Sequence, residues 1–384
     1  MTKPLTIAID ARMIRRGAMH GIARYVYHLL LELAQQMLEH QIYVIVNKNS
    51  PLDKIQWPSH ILLVKCKSSW ISFREQAELP AILKEIKADL FHAPSFVAPF
   101  VVPCRMVMTI HDLNHMVLPQ FYTPIHQFYY QVIVRNSIKR SEYILTVSQF
   151  SKSEIVRTLK VPKEKIFVTY NGVSSEYYPR QQDPHSEYIL ELYGIKKPFI
   201  FCVSNNKPHK NVHQLVRAYC YSNVKVPLVL ASPVDRKLIN MAEAFGKKHL
   251  LFFSKFIEEE HLPIIYSNAE LFVYPSTYEG FGLPPLEAIS CGVPVVVSAS
   301  SSLPEVVGDS AIFVNPYDYK DIASALERGL NDKEYRARLI DAGLQHAQKY
   351  SWSKMTKETL ALYERCLMDE QPMAAETSAE AQLI

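Results

Sequence analysis

The stretch Tyr274-Pro-Ser-Thr-Tyr-Glu-Gly-Phe-Gly-Leu-Pro-Pro-Leu-Glu287 holds two glutamates, Glu279 and Glu287, with seven residues between them. Carboxylates accept hydrogen bonds from hydroxyls, and the intervening Gly280 and Gly282 allow a tight loop where backbone can approach a ligand. The apolar run Leu271-Phe272-Val273-Tyr274 has the length and composition of a buried strand, stopped by Pro275 and Ser276. Pro284 suits the first helical position, where its missing N–H costs nothing, and Leu286, Ala288 and Ile289 continue a helical pattern. Strand, glycine loop and helix N-terminus aim free amides and the positive dipole end at one spot, which favours a phosphate. Bracketed by two carboxylates, such a spot suits a ligand with both phosphate and sugar. Local spacing equally fits a solvated loop acid at Glu279 and a first-turn acid at Glu287 that complements the dipole.

Three other stretches carry candidate groups. Met106-Val-Met-Thr-Ile-His-Asp112 is an apolar strand ending in His111 and Asp112, where a histidine either donates and accepts near neutral pH or is simply packed. The loop from Arg12 to Gly21 and the helix after it carry Arg12, Arg15, Arg16 and Arg24, which fit an anionic ligand, an acidic membrane surface or a solvated basic loop. Phe121, Tyr122, Phe128, Tyr129 and Tyr130 sit in a helical segment, either as core or as a wall for an acceptor lipid or sugar.

These groups need elements to hold them. Strand-like runs at residues 5–11, 41–46, 61–66, 89–92, 106–111, 143–148 and 165–172 alternate with helical patterns at 22–38, 73–87, 121–140 and from near Ser151, which is the order of a parallel doubly wound α/β domain. Residues 179–198 are polar and proline-bearing, as a connection between domains is. A second series follows, with strands at 199–204, 226–231, 250–253, 271–274, 293–297 and 311–314 and helical patterns at 212–221, 263–267 and 321–330. Helical periodicity resumes at 333–350 and 352–367, and the tail 369–384 is expected to be disordered. The expected organisation is a first α/β domain at 1–178, a linker at 179–198, a second α/β domain at 199–350, a helix at 351–368, and the tail.

Composition sets bounds on function. A chain of 384 residues exceeds what one hydrophobic core usually serves. Its net charge of +4 does not suggest a nucleic-acid binder. The six cysteines form no metal-ligand spacing, so free thiols in a reducing compartment are expected. No GxGxxG fingerprint, signal-peptide core or apolar run of spanning length is present, leaving a cytoplasmic chain with at most peripheral membrane contact as the expectation.

The residues resemble a family. Glu279-Gly-Phe-Gly-Leu-Pro-Pro-Leu-Glu287 matches the two spaced glutamates of the retaining glycosyltransferase family four, whose fold is GT-B: two Rossmann-like doubly wound domains facing a central cleft. Further matches occur in order at Gly21-Ile-Ala-Arg24-Tyr25, Thr109-Ile-His111-Asp112-Leu113, Val147-Ser148, Asn171-Gly172-Val173, Pro208-His-Lys210-Asn211 and Leu303-Pro304-Glu305, so the resemblance spans nearly the whole chain.

The resemblance implies roles. Lys210 would meet the donor diphosphate, where a cation offsets charge developing on the leaving group. Glu279 would contact hydroxyls of the donor sugar, while amides of Gly280, Phe281, Gly282 and Leu283 approach sugar and phosphates. Glu287 would bind the ribose hydroxyls. His111 would face the sugar from the first domain beside Asp112, and Gly21 would let the first loop approach diphosphate and acceptor. Family members carry a glycine six positions before the lysine and an arginine five before it or one before it; here those positions are Ser204, Asn205 and His209. Lys207, or Arg16 or Arg24 on the acceptor side, would have to compensate. Lys255 stands where a glycine is common.

The activity so implied is transfer of a hexose, with mannose the leading guess, from a GDP- or UDP-linked donor to a glycan, lipid-linked or protein acceptor hydroxyl, with retention at the anomeric carbon. Polysaccharide or lipopolysaccharide synthesis at the inner face of a membrane is the expected setting. No metal is expected, because Lys210 and the helix amides can stabilise the diphosphate, and the donor phosphate itself would take the acceptor proton. Alternatives are a GT-B epimerase or phosphorylase, or a non-catalytic sugar-nucleotide-binding subunit, the last suggested by Ser204 and Asn205.

Overall fold

The structure, a computed structural model, describes residues 4–15, 17, 21–36, 39–96, 98–118, 124–205, 207–254 and 256–368, with backbone only at 124–131. Arg16, Lys255, the tail 369–384 and the aromatic side chains proposed as an acceptor wall lie outside the described residues.

Two parallel sheets organise the chain. The first contains β1 Thr6–Asp10, β2 Gln41–Asn47, β3 Ile61–Cys66, β4 Leu90–Ala93, β5 Arg105–Ile110, β6 Tyr143–Thr146 and β7 Ile166–Val168, in the order β3-β2-β1-β4-β5-β6-β7. The second contains β8 Ile200–Val203, β9 Leu228–Ala231, β10 Leu251–Phe253, β11 Leu271–Tyr274, β12 Val295–Ser298 and β13 Ala311–Val314, in the order β10-β9-β8-β11-β12-β13. Helices cover both faces, so strands such as β11 and β12 are buried throughout and read as unbroken apolar runs. The order reverses between β1 and β4 and between β8 and β11, and ligand crevices form beyond the carboxyl ends of strands at such points.

Helix Trp352–Met368 packs on helix Gly21–Gln35 and on β5 and β6 of the first sheet. Three contacts fasten it. The Tyr363 hydroxyl lies 2.5 Å from His92 Nδ1, His28 stacks on Trp352 with centroids 4.5 Å apart, and Gly172 approaches so closely that a Cβ there would fall 2.1 Å from the Trp352 nitrogen.

The short helices Asn114–Val117 and Leu303–Val307, and two longer ones, are not legible in the sequence pattern. Helix Ser186–Leu192 forms inside the proline-bearing connection because Ile189 and Leu190 bury themselves against helix Leu262–Ser267. Helix Arg236–Ala244 is short, buries Leu238 and Ala242 on one face, and is started by the Asp235 carboxylate accepting from the Lys237 amide at 2.8 Å. Among the described residues no helix is long and apolar enough to cross a membrane.

Candidate active site

Residues 275–282 join β11 to helix Leu283–Ser290. Gly282 starts that helix from φ 105°, a left-handed value that favours glycine, and Pro284 occupies the second rather than the first helical position. Serine hydroxyls take the loop's carbonyls. Ser302 donates to the oxygens of Glu279 (3.0 Å) and Phe281 (2.7 Å), while Ser148 and Ser151 of the first domain donate to that of Gly280 at 2.6 and 3.1 Å. The amides of Gly280, Phe281, Gly282 and Leu283 donate to no group among the described residues, and all four residues line a cavity of about 840 Å³ between the two domains.

Lys210 enters that cavity from a turn, Pro208–Lys210, that follows β8. Asn211 holds the turn from a left-handed backbone by donating its side-chain amide to the carbonyls of Pro275 (3.1 Å) and Pro316 (2.7 Å). The Lys210 ammonium donates to Glu279 Oε1 and to the buried Tyr274 hydroxyl, both at 2.7 Å. Burial pushes the Glu279 carboxyl up, but the Lys210 charge and hydrogen bonds from Lys210, Ser276 and Tyr274 outweigh it and hold the group below its ordinary range. The pair therefore presents an ionised carboxylate and a cation side by side.

Across the cavity, His111 follows β5. Its Nε2 lies 3.1 Å from the Pro94 carbonyl, which makes Nε2 the protonated nitrogen, and burial lowers its pKa to about 4 so that the ring is neutral at pH 7. Asp112 also faces the cavity, and its Oδ1 accepts from the Asn114 amide at 2.9 Å. Arg15, Gly21, Asn205 and Lys207 also belong to the part of the wall anticipated from sequence.

Some anticipated residues stand elsewhere. Ser204 and Glu287 do not line the cavity; the Ser204 hydroxyl turns to the Asn205 carbonyl at 3.1 Å. Arg24 does not line the cavity. Its guanidinium crosses to the second domain, with Nη2 2.7 Å from Glu287 Oε1 and Nε 2.9 Å from Glu259 Oε1. Arg12 is buried and committed to Asp10 and Glu75 at 2.8 and 2.9 Å, so it is not free for an anion. Trp70, Asn114 and His115 line the cavity without a signal in the sequence, as they fall in segments with no distinguishing spacing, whereas Asn171, part of the matched Asn171-Gly172-Val173, lines it too. Tyr274 was read as a strand end; its hydroxyl contact with Lys210 depends on a residue 64 positions away. Among the described residues no group of three or more His, Cys, Asp or Glu side chains could hold a metal ion.

Comparison with known proteins bears on the family and the fold. The model described as Glycosyltransferase Family 4 matches residues 19–177, and that described as Glycosyl transferases group 1 matches residues 192–346. The chain is similar to O-antigen chain mannosyltransferase B of Escherichia coli, 34% identical over 73% of this chain and 75% of that protein. It is similar also to the serotype-specific mannosyltransferase WbdA of Escherichia coli, 29% identical over 70% of this chain, but spans only 34% of that protein's length. Among solved structures, HepE of Anabaena, crystallised with UDP and glucose, has the same fold at a TM-score of 0.75 and 18% identity, over 94% of this chain and 100% of that one. With both halves matched in order and a relative aligned over 75% of its length, the chain belongs to glycosyltransferase family 4 and is a glycosyltransferase of the GT-B fold.

Proposed function

We propose that this glycosyltransferase moves a hexose, mannose first among the candidates, from a nucleoside-diphosphate sugar to a hydroxyl of a glycan or lipid-linked acceptor in surface polysaccharide synthesis, with retention of anomeric configuration. The observation that carries the reading is the Lys210–Glu279 pair beside four amides that donate to no group among the described residues, in residues that all line one cavity between the domains. The names of the mannosyltransferase relatives support the sugar and the setting, and the UDP and glucose in HepE support the donor class.

In this reading Lys210 and the amides of residues 280–283 hold the diphosphate, so that the charge released as the glycosidic bond breaks meets preorganised donors. Glu279 orients the donor sugar by accepting from its hydroxyls, and Glu287 accepts from the ribose. Neutral His111 and Asp112 address the sugar from the other wall. Gly21 leaves room for the acceptor, with Asn205 and Lys207 at the diphosphate positions where Ser204 does not reach. A donor phosphate oxygen takes the acceptor proton on the same face. A peripheral seat at the inner face of a membrane fits an acceptor carried by lipid, and exposed Phe73 and Arg74 supply apolar and basic groups for it.

The test is incubation with GDP- and UDP-sugars, GDP-mannose included, with an isotope-labelled sugar and a lipid-linked or free glycan acceptor. Transfer with an unchanged anomeric configuration in the product is expected. No turnover or binding of any donor would sink the proposal, and an inverted linkage would sink the retaining mechanism alone.

A further inference from the structure

The carboxylate of Glu287 is 2% exposed, and both of its oxygens are met from defined directions. The Tyr266 hydroxyl donates to Oε2 at 3.0 Å. Oε1 lies 2.7 Å from Arg24 Nη2 in an ion pair that crosses between the domains, and Nη2 also lies 3.4 Å from the Tyr177 hydroxyl. A carboxylate offers about four acceptor directions. Here Tyr266 takes one and Arg24 faces another, which leaves further directions for a ligand.

Arg24 belongs to the first domain and Glu287 to the second. Arg24 stands on the first turn of helix Gly21–Gln35, directly after Gly21, Ile22 and Ala23, which line the cavity. Its second ionic contact, to Glu259, also lies in the second domain. A carboxylate buried without a counter-charge is costly, so the state in which Glu287 is ready for a ligand is the state in which the first domain is docked.

We propose, resting on the reading of Glu287 as the ribose contact, that Arg24 is a positioning residue for the donor. It prepares the Glu287 carboxylate for a vicinal diol and thereby couples nucleotide binding in the second domain to closure of the first. Arg24 itself touches neither sugar nor phosphate in this arrangement, so its effect falls on donor affinity rather than on the bond-breaking step.

Titration of the full-length chain with GDP and with UDP by calorimetry, alongside steady-state kinetics, tests this. Arg24→Met should weaken the preferred nucleotide at least tenfold and raise donor KM in parallel, with kcat within about threefold of wild type. Arg24→Lys, which keeps charge but not the planar fork, should recover most of the loss. Glu287→Gln should weaken the nucleotide to a similar degree, and the double variant should be no weaker than Glu287→Gln alone. Unchanged nucleotide affinity in Arg24→Met, or losses that multiply in the double variant, would overturn the coupling and leave a structural ion pair read only in the melting temperature. If Arg24→Met does not fold, Arg24→Lys and Arg24→Gln are compared, and equal affinities in those two overturn it. Failure of the wild type to bind either nucleotide would strike the donor reading itself, and wild-type affinity in Glu287→Gln would remove Glu287 from the nucleotide site and the coupling with it.

Discussion

The carbonyl oxygen of His111 occupies the space where a side chain on Gly280 would begin. A Cβ at Gly280 would fall 2.1 Å from that oxygen and 2.9 Å from the Asp112 Cβ. The glycine at this position serves the contact between domains, because it lets the loop carrying Glu279 press against the strand end carrying His111. Ser151 strengthens the contact by lying 3.1 Å from both the His111 and Gly280 carbonyls.

Gly280→Ala should therefore hold the domains apart. Overpacking of this kind costs about 1–3 kcal/mol, and here it is relieved by opening the cleft rather than by unfolding either sheet. We expect turnover to fall by at least roughly tenfold while far-UV circular dichroism stays the same. Wild-type turnover in the alanine variant would show that the close approach is dispensable.

Lys210→Ala removes the cation beside Glu279. If the ammonium stabilises the departing diphosphate, the loss is about 2–4 kcal/mol, or roughly 30- to 1,000-fold in kcat. Tyr274→Phe should give a smaller decrease in the same parameter, since it removes the hydroxyl that the ammonium meets at 2.7 Å but leaves the charge in place. A loss below about tenfold for Lys210→Ala would assign the role to another cation, Lys207 being the nearest in sequence that lines the cavity.

Glu305 links the domains from the opposite side of the loop. Its carboxylate accepts from the amides of Gln149 (2.7 Å) and Phe150 (3.1 Å), at the start of a first-domain helix, and from the Tyr170 hydroxyl (2.7 Å). Glu305→Ala should cost about 1–2 kcal/mol, comparable to loss of a helix cap, and lower the melting temperature. Glu305→Gln keeps one acceptor oxygen and should cost less. Equal melting temperatures for wild type and Glu305→Ala would refute the link.

The first domain buries four histidines against their charged forms. Burial lowers His28, His111 and His115 to about 4 each, helped at His28 by the nearby Arg24 charge, and it lowers His92 to about 3, helped by His111. An unfolded chain takes up protons near its ordinary pKa of 6.5, whereas the folded one refuses them until about 4, so the unfolded state binds more protons in that window. The stability contributed by neutral burial is complete above about pH 6.5 and is lost as pH falls toward 4, by roughly 1.4 kcal/mol per unit for each group. Urea denaturation at about pH 7.5, 6 and 5 should show a falling midpoint. A midpoint that is level or rises on acidification contradicts this.

Glu279, the glycines after it and the Pro284 helix start are legible in sequence because strand, loop and helix there are local. An apolar run of four, two glycines and a proline fix a short path whatever surrounds them, and the ordered motifs around Lys210 and His111 extend that legibility to the family. The helices Ser186–Leu192 and Arg236–Ala244 were not legible, since the first is held by its neighbour and the second is short and started by a cap. Arg24 shows the limit most clearly. Its charge suggests an anion or an acidic surface, but its partner is a carboxylate in the other domain, chosen by how the two sheets dock. The sequence alone determined which side chains can do chemistry and which loop carries them. Tertiary structure alone decided that Glu287 lies off the cavity wall and that Gly280 abuts His111. Those relations join residues far apart along the chain, and only the packing of two separately folded domains brings them within a few ångströms.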